Sequence, residues 1–342
     1  MTKISIIIPV FRVPQEYLRA CLDSLVAQTM KECEFIVVSD GAPKAECSIC
    51  EEYAEKDSIF KIFKQEHSGV SATRNYGIKQ ALGEYITFVD ADDWIDPETC
   101  ETTYDFAKKN NSDIVLFDYT PIGNSPYKQA SYGGHSVDVL QPVEIETILK
   151  ETISLTDDKY VGAVSTMCKL TKRELFIKNR IQFPESVAIA EDRVVAYSLF
   201  LKANRVSYLK KELYVYNIQA SSSSNKFDSN ILPKTINYLY AINNANKEHS
   251  QIIANTAVNL YFASWEKCYL NKKNSDSIFK RVENIFSIVH SKDFQNIIQS
   301  ANISEYPPVI KQEAWLLKHR IVFPFFFHVI KYYFKKLLMT KN

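Results

Sequence analysis

Along the first hundred positions, short apolar runs alternate with stretches of helical spacing. Ile4–Phe11 is an almost unbroken apolar, β-branched run, the pattern of a strand buried on both faces. After Pro14, the residues Tyr17, Leu18, Cys21, Leu22, Leu25 and Val26 recur at three- and four-residue steps. This predicts a helix with proline in its first turn. Phe35–Ser39 predicts a second strand, ending at Asp40-Gly41. Residues 44–56 read as a charged helix and Ile59–Lys64 as a third strand. Ser71–Leu82 reads as a helix stopped by Gly83. Tyr85–Val89 is a fourth strand that runs into Asp90-Ala91-Asp92-Asp93, followed by a helix over Pro97–Asn110 and a strand over Ile114–Tyr119.

Strands that alternate with helices predict an α/β fold, a mainly parallel sheet with helices on both faces. Such sheets bind ligands beyond the carboxyl ends of their strands. Phe11 and Arg12 follow the first strand, Asp40 the second, and Asp90 and Asp92 the fourth, so several strand ends converge on one crevice. Residues 120–160 read as irregular and 160–220 as a second αβ stretch. From about 226 the period is helical, over Ile236–Ala245, Ile252–Tyr269 and Ile278–Ile298. The expected organisation is an α/β domain over 1–225, divided into halves 1–115 and 116–225, and a helical region over 226–342.

Charge changes this picture at one place. The net charge is +1, which argues against a nucleic-acid binder. Residues 311–342 carry seven Lys or Arg against Glu313 alone, hence +6; the rest carries 34 basic and 39 acidic residues, hence −5. Trp315, Phe323, Phe325, Phe326, Phe327, Tyr332, Tyr333 and Phe334 lie among these basic residues, with Pro324 dividing the segment. Such a mixture fits a helix in the interface of an anionic membrane; a packing or dimer helix with a solvated basic face fits it too. Ile4–Val10 lacks a basic leader and is interrupted by Pro9, so it reads as a strand and not a signal peptide. The run Ile321–Phe327 is too short to cross a bilayer. Seven cysteines without framework spacing point to reduced thiols in a cytoplasm. Cys47-x-x-Cys50 lacks the second pair of a zinc knuckle.

Asp90, Asp92 and Asp93 crowd one strand end. Carboxylates this close repel unless a cation sits among them. Mn²⁺ and Mg²⁺ take one or two carboxylates together with phosphate oxygens, and such a bridge offsets the charge that grows on a departing diphosphate. The plainer reading is a helix N-terminus capped by Asp92 or Asp93, with Asp96 opening the next helix.

His67-Ser68-Gly69-Val70-Ser71-Ala72-Thr73-Arg74-Asn75-Tyr76-Gly77-Ile78, followed by Ala81-x-Gly83-x-Tyr85 through Asp90-Ala91-Asp92-Asp93, closely resembles the family 2 glycosyltransferases of GT-A fold. So do Ser5–Phe11 and Glu34–Gly41. The motifs cover roughly residues 3–100, in the family's order and spacing. The resemblance implies a nucleotide-binding half over 1–115, an acceptor half over 116–225, and a nucleotide-sugar donor, usually a UDP-sugar. It implies that Pro9 and Phe11 border the base, Asp40 accepts a hydrogen bond from it, and Arg74 lies near base and diphosphate. Asp90 would hold the ribose side, and Asp92 would ligate Mn²⁺ or Mg²⁺. This chain departs from the pattern at Phe11, often Tyr, at Ser39, often Asp, at Ala42, often Ser, and at His67, often Asn; a lone His beside a loop reads as structural.

The resemblance also implies a general base that takes the acceptor's proton. Glu191-Asp192, ahead of a helix, matches the family's acidic pair, with Asp192 as the base; an N-terminal helix cap is the plainer alternative. One base and no separate nucleophile imply inversion at the sugar carbon. Tyr214-x-Tyr216-Asn217 and Ser221–Ser224 resemble a segment that closes over the diphosphate, with Asn217 where the family has Arg and Lys226 as a candidate substitute. The expected acceptor is a glycan or lipid-linked precursor. The expected location is the cytoplasm, at the inner face of the cell membrane through the basic tail, and a homodimer is compatible. A sugar nucleotidyltransferase would show a Gly-rich loop where Pro9–Pro14 stands, and a dinucleotide oxidoreductase would show G-x-G-x-x-G there. A non-catalytic sugar-nucleotide or glycan binder of the same fold is the remaining alternative.

Overall fold

β1 (Ile4–Val10) is buried at every residue except Pro9, which is half-buried. That burial follows from parallel neighbours on both sides, β2 (Cys33–Asp40) and β4 (Tyr85–Phe88). β3 (Phe60–Gln65) continues the parallel set beyond β2. The computed structural model describes residues 1–123, 136–154, 161–218, 228, 230–264, 271, 273–305 and 308–321. Its eight strands lie in the order β3-β2-β1-β4-β7-β6-β8-β5. The chain moves outward from β1 to β3, then returns to set β4 on the opposite side of β1. This reversal is where open α/β sheets leave a ligand crevice.

Past β4 the sheet is mixed. β7 (Lys169–Lys172) runs antiparallel to both β4 and β6 (Ile114–Gly123). β8 (Val206–Ile218) is parallel to β6, and the two-residue β5 (Trp94–Ile95) closes the edge antiparallel to β8. β5 and β7 are too short to produce a readable alternation. The region expected to be irregular contributes the end of β6 and a helix, α5 (Pro142–Ser154).

Alternate residues of β1 serve opposite faces. Ile4, Ile6, Ile8 and Val10 join a core with Leu18, Cys21, Leu22 and Leu25 of α1 (Gln15–Val26) and Ile49 and Cys50 of α2 (Lys44–Lys56). On the other face, α3 (Val70–Gln80) lies so close that a Cβ on Gly77 would stand 2.4 Å from Ile7 Cγ2. At the opposite end of the sheet from the crevice, buried Glu34 accepts from Ser5 Oγ at 2.6 Å and from the Leu82 amide at 2.6 Å, and pairs with Lys61. It ties three chain segments together there.

The remaining helices of the first unit are α4 (Thr99–Asn110), α6 (Val161–Val164), α7 (Arg173–Asn179) and α8 (Glu191–Lys202). The chain divides into two units, Met1–Asn225 and Lys226–Asn342. The second is helical, with α9 (Ile231–Ala245), α10 (Ser250–Ser264), α11 (Ile278–His290), α12 (Lys292–Ile298) and α13 (Pro308–Lys318). The apolar period over 278–298 predicts one helix, but Ser291 divides it. Its backbone is extended and its Oγ accepts from the Phe294 amide, the role that serine prefers over a helix interior. α13 belongs to the packed part of this unit, with Ala314 and Leu317 buried and Lys318 Nζ donating to the Ala301 carbonyl at 3.2 Å. The basic stretch therefore begins inside a packed helix; residues 322–342, Ser221–Ser224 and Lys226 lie outside the described residues. Among the described residues, no helix is long and apolar enough to cross a membrane, and six cysteines are free thiols.

Candidate active site

Odd-numbered residues at the start of β1 turn their carbonyls toward β4. The Lys3 carbonyl accepts from Tyr85 N and the Ile7 carbonyl from Val89 N. Pro9 is next in this series and has no N–H to offer, so it suits a strand position past its neighbour's end. β1 and β4 part here, and a cavity of about 470 Å³ opens. Pro9, Phe11, Asp40, Arg74, Asp90 and Asp92 all line it, together with His67, Tyr216 and Asn217. The six positions expected to meet the donor are thus brought together.

Asp40 ends β2, and its carboxylate is saturated. Oδ1 accepts from Gln65 Nε2 and the Ser68 amide, both at 2.8 Å. Oδ2 accepts from the Gly69 amide and His67 Nδ1, both at 2.9 Å. Burial opposes its charge, but these four donors outweigh burial and hold its pKa below the ordinary value. Gly69, at φ 90°, then leads directly into α3, so Asp40 anchors the start of the helix that carries Arg74.

Arg74 is 5% exposed. Its Nη2 donates to Asp90 Oδ1 at 3.0 Å and its Nη1 to Glu191 Oε1 at 2.9 Å. Burial disfavours its charge, yet Asp90, Glu191 and Asp192 together keep it firmly protonated. One guanidinium therefore joins the strand-end acids to the acidic pair at the start of α8. Glu191 makes that contact directly. Asp192, one residue on, accepts from the Arg193 amide at 2.8 Å. It lines a smaller space with Phe88, Thr166 and Lys169, and not the 470 Å³ cavity. Burial raises the pKa of Asp192 against the opposing pull of Arg74, Arg193 and Lys169; burial and then Asp192 raise that of Glu191.

The loop 90–93 is fastened from β8. The Asp90 amide donates to Tyr214 Oη at 3.2 Å, and that hydroxyl donates to Asp93 Oδ2 at 2.6 Å. The Asn217 amide donates to Asp93 Oδ1 at 2.8 Å, and its Nδ2 to the Asp92 carbonyl at 3.1 Å. Asp93 is 1% exposed; burial and then Asp90 push its pKa to about 8. Its two oxygens brace the loop by accepting from Tyr214 Oη and the Asn217 amide. Asn217, aligned where the family has Arg, serves this loop. Asp96 Oδ1 accepts from the Glu98 amide at 2.9 Å and so shapes the turn into α4.

The Glycosyl transferase family 2 model matches residues 5–180. The chain belongs to this family. Relatives of this glycosyltransferase include GlyA of Streptococcus pneumoniae, 34% identical over 256 residues, which are 74% of this chain and 35% of that protein. This chain therefore spans about a third of GlyA's length. A cholesterol galactosyltransferase of Borreliella burgdorferi is 30% identical over 97% of this chain and 98% of its own. Among solved structures, S. aureus TarS 1-349 in complex with UDP-GlcNAc superposes with a TM-score of 0.68 at 21% identity, covering 94% of this chain and 88% of that one. The fold is GT-A-like.

Asp92 lines the cavity beside Asp90. Burial and then Asp90 raise its pKa to about 6, and no cationic side chain among the described residues offsets this. No three His, Cys, Asp or Glu side chains among the described residues converge as a self-sufficient metal cage. A hard cation held by one or two carboxylates and a ligand's phosphate oxygens needs no such cage. The residues present fit that arrangement.

The sequence missed the roles of Glu191, Asp93, Tyr214 and His67. Glu191 was legible as half of an acidic pair, but its partner lies 117 residues away.

Proposed function

We propose that this chain transfers a sugar from a UDP-sugar to a hydroxyl of a glycan or lipid-linked acceptor, with inversion at the sugar carbon. One observation carries the reading. Phe11, Asp40, Arg74, Asp90 and Asp92 come from three strand ends and one helix, and all line the same cavity. The UDP-GlcNAc complex of TarS, on the same fold, supports the donor class.

In this reading the base lies against Phe11 near Asp40, and the ribose near Asp90. Arg74 holds Asp90 and Glu191 in place and contributes positive charge on the diphosphate side. Asp92 would hold Mn²⁺ or Mg²⁺, which would supply positive charge to offset that of the departing diphosphate. Asp192 takes the acceptor's proton. Burial raises its pKa above the ordinary carboxylate value, the direction that favours a proton acceptor. Glu191 is the competing base, favoured by its direct contact with the Arg74 side of the cleft, although Arg74 occupies one of its oxygens.

A donor panel of UDP-glucose, UDP-galactose and UDP-GlcNAc, scored by UDP release with Mn²⁺, tests the enzyme reading. Turnover should vanish in Asp92→Ala. Nucleotide binding without turnover on any donor and acceptor would favour the non-catalytic binder. Asp192→Asn should keep donor affinity within about threefold and lower kcat by at least ~10²-fold. If Glu191→Gln shows that profile and Asp192→Asn does not, the base is Glu191.

A further inference from the structure

Three of the four donors to Asp40 belong to the framework. Ser68 and Gly69 offer backbone amides, and Gln65 reaches over from the end of β3. The fourth is His67 Nδ1, on a side chain that is 57% exposed. Nδ1 carries the proton, because an ionised carboxylate only accepts. The same ring lies face to face on Phe11, with centroids 4.1 Å apart and planes 13° from parallel. A flat ring on the aromatic wall, with an N–H on the buried carboxylate, makes the two contacts that a nucleobase would make here. An ionised carboxylate has about four lone-pair sites, and Asp40 spends its four on residues 65, 67, 68 and 69. A base that brings an N–H must displace a donor. The two backbone amides cannot leave without unmaking the turn into α3, and Gln65 Nε2 is also held by Thr73 Oγ1 at 3.2 Å, so the exposed His67 is the donor that leaves most readily.

We propose that the His67 side chain occupies the nucleobase seat of the free protein and swings out when a nucleotide enters. The proposal rests on the donor reading above. It makes His67 a determinant of donor affinity that acts by competition. The His67 backbone lies close to Gly41: a Cβ at position 41 would lie 3.0 Å from His67 N and 3.1 Å from its Cβ. The proposed motion is a turn of the ring about this closely packed backbone. Apparent affinity falls in proportion to the open fraction, so a ring seated nine-tenths of the time weakens binding about tenfold.

Calorimetry of UDP with Mn²⁺ tests this on the full chain, with Mn²⁺–pyrophosphate, which lacks a base, as the reference ligand. His67→Ala should bind UDP roughly three- to tenfold more tightly than wild type and leave pyrophosphate affinity unchanged. His67→Phe keeps a ring on Phe11 but frees the Asp40 acceptor site, so it should gain less than His67→Ala. UDP affinity in His67→Ala equal to or below wild type, in a protein that melts normally, overturns the proposal and makes His67 a wall of the base pocket. Proton NMR gives a second readout: the His67 Hε1 resonance should sit upfield over Phe11 in free protein and move downfield as UDP saturates. A resonance still upfield at saturation also overturns it. Wild type that binds no nucleoside diphosphate defeats the donor reading, and this proposal with it; that failure is distinct because it is already visible before any substitution.

Discussion

Arg74 illustrates how one residue can be readable by motif and yet unreadable in its effect. Its place beside the strand-end acids follows from the resemblance, and the structure sets it 3.0 Å from Asp90. Its second carboxylate, Glu191, lies on α8 and has no signal in spacing. A buried cation between two acids is costly to remove, because both acids lose their compensation. Arg74→Met should lower stability by about 3–5 kcal/mol, read by chemical denaturation, and should weaken UDP binding as well. Arg74→Lys offers a single ammonium and cannot present the two-pronged geometry, so it should fall between. Unchanged stability in Arg74→Met would mean that Asp90 and Glu191 do not depend on it.

At the scale of elements, the strands and helices of the first hundred residues were legible because each is long enough to show its period. β5, with two residues, and β7, with four, were not. The break at Ser291 was hidden because the apolar period continues across it. The β6–β8 pair supplies a test of its own. Asp118 of β6 is 4% exposed and accepts from Tyr208 Oη at 2.7 Å. Burial raises its pKa from 3.8 to about 6, against the help of the Tyr208 hydrogen bond. The folded chain thus holds this proton better than the unfolded chain does. The stability it contributes is full below about pH 4 and is lost as pH rises through about 6. Between pH 4 and 7.5, wild type should lose roughly 2 kcal/mol that Asp118→Asn does not lose, read by urea denaturation at each pH. Parallel pH profiles for the two proteins would contradict the assignment.

For the whole molecule, the chain divides into Met1–Asn225 and Lys226–Asn342. Composition shifts there from alternating strands and helices to a continuous helical period. The basic tail reads as one segment in the sequence, but α13 commits its first part to packing, since Leu317 is fully buried. We place the proposed membrane contact chiefly in residues 322–342. Truncation after Ile321 should leave thermal stability intact and release the protein from vesicles rich in phosphatidylglycerol. Wild-type binding to those vesicles should weaken with added salt; wild type that never sediments with them leaves the tail no membrane role. The account as a whole depends on a nucleoside diphosphate seated between Phe11 and Asp92 with a cation's help. The most direct measurement is UDP binding by calorimetry, with Mn²⁺ and with EDTA, in wild type and Asp92→Ala. The prediction is Mn²⁺-dependent binding in wild type, with that dependence lost in Asp92→Ala. Wild type that fails to bind UDP, or Asp92→Ala that keeps the full Mn²⁺ dependence, would contradict it.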